Sequence, residues 1–198
     1  MPFAAQALPD LMPPAFAEGL DDWSRGDGTP DSPTYDGSGL ARLARDPDFG
    51  TCLELRTTEP VQRLRYMGEL PVPTGAFLEV TARLKVVRGP LPEARIAAWP
   101  GGAGGRRVCG LPSAAPVVPV AAHAAAVGLR AVIGPEPLED VDLAWDFRVL
   151  YAHVGLDLLG ARGAVVRIES VAVREVTARF APGGRKLPGF GLPPRVRR

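Results

Sequence analysis

The stretch Ala76-Phe-Leu-Glu-Val-Thr-Ala-Arg-Leu-Lys-Val-Val87 alternates residue by residue. Leu78, Val80, Ala82, Leu84 and Val86 share one face, and Glu79, Thr81, Arg83 and Lys85 share the other. A period of two is the signature of a half-buried antiparallel strand. Working outward, Thr51–Thr57 pairs Leu53 and Leu55 against Cys52, Glu54 and Arg56, and Gln62–Met67 sets Arg63 and Arg65 against Leu64 and Tyr66. Ala94–Trp99 and the run around Val127–Ile133 read as further strands. In Leu150–Leu158, Leu150, Val154, Leu156 and Leu158 are expected inside, with Tyr151, His153 and Asp157 outside. In the closing run 165–176, Val166 and Ile168 point in, then Val171 and Val173 do; the change of parity near Ser170 predicts a bulge or bend.

The fold class is therefore all-β, an antiparallel sandwich of at least seven strands. Its opening segment Phe16-Ala-Glu-Gly-Leu-Asp-Asp-Trp23 is expected to meet the closing run. Leu40–Arg45 is expected to form no more than one helical turn. Gly 23 and Pro 22 in 198 residues punctuate the strands with turns. The segmentation is an N-terminal arm at 1–15, a β-sandwich at 16–177 and a basic C-terminal arm at 178–198.

Composition narrows the function. A formal net charge of +1 gives no general pull toward nucleic acid or acidic membranes. The excess of Arg over Lys, 21 to 2, fits a GC-rich coding sequence as readily as anion binding. Ala114–Gly128 is interrupted by Pro116, Pro119 and His123 and is no membrane span. The first residues lack the basic and apolar regions of a secretory leader, so an extracellular role is expected to follow cell lysis. Cys52 and Cys109 read as free thiols, with one bridge left open.

Catalytic signals are sparse. His123 and His153 are the only histidines, and no Gly-x-Ser-x-Gly elbow occurs. No carboxylate pair stands in a diagnostic motif, so a glycosidase is the weakest reading and the chain is not expected to be an enzyme. Gly101–Gly105 lacks the ending of a phosphate loop and reads as a hairpin turn. Trp23 and Trp145 are expected to pack in the core or its rim, and Trp99 to be accessible. Strand parity alone selects Arg63, Arg65, Arg95, Trp99, Tyr151 and His153 as a surface for carbohydrate.

Two resemblances follow. Phe16-x-Glu-Gly-Leu-x-x-Trp23, closed by Val166-Arg-Ile-Glu-Ser-Val-Ala-Val173, resembles the first and last strands of carbohydrate-binding-module jelly rolls, the galactose-binding-like sandwiches. That resemblance implies a structural calcium held by a Glu and an Asp. Glu18 takes the first place, and Glu169 stands where an Asp is usual. No other cofactor is implied.

Asp22–Pro30, Leu64–Glu69, Ala94–Gly105 and Tyr151–Asp157 are similar to head-spike proteins of phage-like gene transfer agents. This implies a structural spike base that joins capsid protein to a fibre protein. It would be assembled in the cytoplasm and carried outside on the particle. At a capsid vertex the base would be a pentamer, and it would contact capsular polysaccharide. Phe180, Arg185, Lys186, Phe190, Arg195, Arg197 and Arg198 of the basic arm would then dock on a partner. The alternative is a stand-alone carbohydrate-binding module.

Overall fold

The computed structural model describes residues 9–14, 16 and 19–180. They form twelve strands: β1 (Trp23–Ser24), β2 (Ala41–Asp46), β3 (Gly50–Arg56), β4 (Val61–Tyr66), β5 (Leu70–Pro71), β6 (Leu78–Arg88), β7 (Glu93–Gly101), β8 (Val118–Pro119), β9 (Val127–Gly134), β10 (Leu143–Ala144), β11 (Tyr151–Leu159) and β12 (Val165–Glu175). Sheet one has the order β1-β4-β11-β7-β8, with β5 also on β11; sheet two has the order β10-β9-β6-β12-β3-β2. All pairings are antiparallel except β10 with β9. The result is the expected all-β jelly-roll sandwich.

The core lies between the sheets. Leu78, Val80, Leu84 and Val86 of β6 face Val154, Leu156 and Leu158 of β11, all buried, as their alternation requires. The last two strands stand at the centres of opposite sheets. Thr57 fixes the corner between them. Its hydroxyl donates to the Ala161 carbonyl and accepts the Ala164 N–H, while its own carbonyl accepts the Gly163 N–H. The register of β12 against β6 shifts between Ile168 and Ser170, where the parity change predicts it.

Three expectations need correction. Ala41–Asp46 is an edge strand and not a helical turn, because its backbone pairs with β3. Leu150 is half exposed: it precedes β11, and its backbone bonds to Gly101 and Val72 leave the side chain outside the core. Trp23, at the end of the opening segment, pairs with β4 in sheet one, whereas β12 lies in sheet two. The contact with β12 comes instead from inside the expected arm. The Leu11 N–H donates to the Val173 carbonyl, Asp10 accepts the Val173 N–H, and Met12 is buried. Trp23 and Trp145 are buried as expected, and Cys52 (buried) and Cys109 (exposed) are unbridged.

Candidate functional site

Strands β4, β11 and β7 are neighbours, so their outward residues form lateral rows across sheet one. Arg63, Asp157 and Arg95 make one row; Arg65, Gly155 and Ala97 the next; then His153 beside Trp99, and Tyr151 beside Gly101. All six residues selected by parity thus lie on one face.

Their exposure differs sharply. Arg65, His153 and Trp99 are buried, at 4%, 1% and 9%. The side chains of Arg63 and Arg95 are 45% and 30% exposed, and Tyr151 is partly exposed. Trp99 is therefore not the open platform the sequence suggests. Its ring lies 6.2 Å from Tyr151, stacked, and 5.6 Å from His153.

The covering comes from the loop 25–33. Its ends are tied by the Arg25 N–H to the Pro33 carbonyl and by Arg25 Nε to the Thr34 carbonyl at 3.0 Å. Gly28 (φ +93°) sits so close that a Cβ there would lie 2.6 Å from the Cβ of His153. Only glycine permits both the conformation and the approach. At the other end of the strip the Tyr151 ring lies over Gly101, which has no side chain to block it.

The polar centre is Asp157. Its Oδ1 accepts from Arg65 Nη2 at 2.7 Å and its Oδ2 from Arg95 Nε at 3.0 Å. Arg65 Nη1 also donates to the Leu156 carbonyl at 2.7 Å. Burial draws the Arg65 pKa below its ordinary value, and the adjacent Asp157 opposes this; a guanidinium stays charged throughout. Burial likewise lowers the His153 pKa, with the Glu69 carboxylate pulling the other way. Burial and then Glu69 raise the Tyr151 phenol. Among the described residues, His153 Nδ1 and Arg65 Nε have no hydrogen-bond partner. Asp157 is buried between the two arginines, one on each oxygen.

The other sequence-selected residues lie elsewhere. Glu169 faces outward on sheet two, with both oxygens on Arg83 Nη1 at 3.1 and 2.8 Å. Glu18 lies outside the described residues. No group of three His, Cys, Asp or Glu able to hold a metal occurs among the described residues. Phe180 stacks on this chain's own Phe77, with ring centroids 4.1 Å apart, and so is turned onto the domain. Arg185, Lys186, Phe190, Arg195, Arg197 and Arg198 lie outside the described residues. Two features of the face escape sequence reasoning. One is the covering loop, whose only local signal is its Gly and Pro content. The other is Asp157 as the partner of two arginines on separate strands.

No protein-family model and no curated protein matches the chain. Solved structures do. The CBM22-1 xylan-binding domain of Paenibacillus barcinonensis Xyn10C is 15% identical, with a TM-score of 0.53, over 87% of this chain and 98% of that one. The CBM22-1–CBM22-2 tandem of the same protein is 14% identical, with a TM-score of 0.57, over 88% of this chain and 47% of the tandem. TmCBM61 in complex with β-1,4-galactotriose is 10% identical, with a TM-score of 0.50, over 85% of this chain and 99% of that one. At such identities the likeness establishes the fold: the jelly-roll sandwich of carbohydrate-binding modules.

Proposed function

We propose that this chain is a non-catalytic carbohydrate-binding module that contacts a polysaccharide through the outer face of sheet one. The observation that carries the reading is Tyr151 stacked with Trp99, with Arg95 and Arg63 further along the same face beside Asp157. An aromatic face offers a sugar ring an apolar surface, and guanidinium groups further along the face can donate to hydroxyls or carboxylates of a neighbouring residue of the chain. Trp99 and His153 lie beneath and stiffen the strip; Tyr151, Arg95 and Arg63 are the groups a glycan can touch. The solved neighbours named for xylan binding or for a galactotriose complex support glycans as the ligand class. The gene-transfer-agent resemblance, with its capsid and fibre partners and oligomer, gains no support from the fold or the comparisons, so the binding-module reading is preferred.

The test is affinity electrophoresis of the full chain through gels containing neutral polysaccharides, xylan and β-1,4-galactan first. At least one is expected to retard the protein. Tyr151→Ala is expected to weaken that retention about tenfold, as truncation of a central aromatic contact does, with its thermal transition retained. Unchanged retention in a folded Tyr151→Ala variant would remove this face as the site.

A further inference from the structure

The outer face of sheet two is a field of ion pairs. Arg42, Arg83, Lys85, Arg130, Arg167 and Arg179 each hold a carboxylate. At one end of this face the pattern breaks. Val165 is paired on one side with Arg56 of β3 and on the other with Arg88 of β6. The pairing with Arg88 falls at a register shift between Val165 and Val166, a bulge that interrupts the alternation of β6 after the inward Val86, and it leaves Arg56 and Arg88 on either side of Val165 with Cα atoms about 10 Å apart by strand spacing. Both are exposed, and neither has an ion pair or a side-chain hydrogen bond among the described residues.

They line a groove of about 350 Å³, together with Arg42, Glu54, Gly39, Leu40 and Ala41. Glu54 does not neutralise them. Its Oε1 is taken by Arg42 and its Oε2 by Arg167. The groove thus presents two free guanidinium groups at the margins of an apolar floor formed by Val165 and Leu40. Its volume is at the low end of the roughly 300–1,000 Å³ of small-ligand sites. Guanidinium forks match carboxylate and sulfate oxygens bidentately.

We propose that the groove formed by Arg56, Arg88 and Val165 binds an acidic sugar residue, bearing carboxylate or sulfate, of an anionic polysaccharide. The size of the groove suits a ring lying on Val165 and Leu40 with its acidic group toward an arginine. A duplex nucleic acid would need a longer basic track than two arginines on a chain of net charge +1. This site lies on the opposite sheet from Tyr151 and stands apart from the neutral-glycan reading: either can fail without the other.

The test measures retention of the full chain by polygalacturonate (carboxylate), chondroitin sulfate (mainly sulfate), neutral xylan and duplex DNA at low and at physiological salt. The expected result is retention by at least one of the two acidic polymers, weakening as salt rises. The double variant R56Q/R88Q should weaken it at least tenfold with an unchanged thermal transition. The control R45Q/R174Q, which removes the same charge from exposed positions elsewhere, should leave it unchanged. The idea is overturned by no retention on either acidic polymer at low salt, by equal retention of R56Q/R88Q, by an equal loss in the control, or by tighter binding to DNA. Neutral-polysaccharide binding and Tyr151→Ala report on sheet one independently.

Discussion

The outer faces of the two sheets use the same residue types to opposite effect. On sheet one, Asp157 and Arg65 have side chains 4% exposed and lie on the face covered by loop 25–33 and the aromatic strip. On sheet two, pairs such as Arg83–Glu169 are open to water, at 48% and 26%. Asp46 is the exception there. It is buried at the edge, accepting from Lys85 Nζ and Arg167 Nη1, each at 2.8 Å, and from the backbone N–H groups of Asp48 and Phe49. The Phe49 ring lies beneath Arg83 and Lys85, 5.0 and 4.8 Å from their charged centres. The contrast teaches that an Arg–carboxylate contact has no fixed value. Water screens it on the open face; on the covered face, losing one partner strands the other in a dry site.

The sharpest way to break this comparison is Asp157→Ala. It leaves Arg65 buried without its carboxylate and is expected to cost about 3–5 kcal/mol in urea unfolding. A loss below about 1 kcal/mol would mean that sheet one's face is as well solvated as sheet two's.

A smaller effect separates the faces by pH. Burial depresses the His153 pKa below 6.5, so below that value the unfolded chain binds a proton that the folded chain resists. Stability is then complete above about pH 6.5 and declines as pH falls toward the folded pKa. For Asp46, burial alone would raise the pKa, but hydrogen bonds from Lys85 and Arg167 outweigh it and hold the carboxyl well below 3.8. Its contribution is present above that value and is lost only in stronger acid. Unfolding curves across this range should show a decline setting in as pH falls below about 6.5 that disappears in His153→Gln, while the acid-side loss remains. Persistence of the upper decline would assign it to another group.

The smallest change expected is from Arg83→Ala, which removes the exposed pair with Glu169. It should cost about 0–1 kcal/mol and diminish further in high salt. A larger, salt-insensitive loss would show that the ring contact with Phe49, more than the ion pair, anchors Arg83.

Much of this fold is legible residue by residue. The alternation in β6 names its buried face, and the parity change at Ser170 names the bulge in β12, because side-chain direction follows from local backbone geometry. Parity also identified Arg63, Arg65, Arg95, Trp99, Tyr151 and His153 as outward residues. That they share one face depends on β4, β11 and β7 being neighbours, which no local pattern states. Leu40–Arg45 misleads for a related reason: a short polar-apolar run becomes a strand only when β3 offers it hydrogen bonds. Trp99 and His153 point out of the sheet as read, yet are buried: Gly28 of loop 25–33, from more than a hundred residues earlier, closes over His153, and Trp99 packs against His153 and Tyr151. Arg56 and Arg88 become a pair only across Val165.

Strand periodicity, turn positions and the all-β class were thus determined by the sequence itself, since each depends on bonds and sterics within a few residues. Which strands lie side by side, which outward face is roofed and which arginines keep their charge unpaired were decided by the tertiary structure. Those outcomes depend on contacts and solvent exclusion between distant segments, and their free energy does not exist until the sheets assemble.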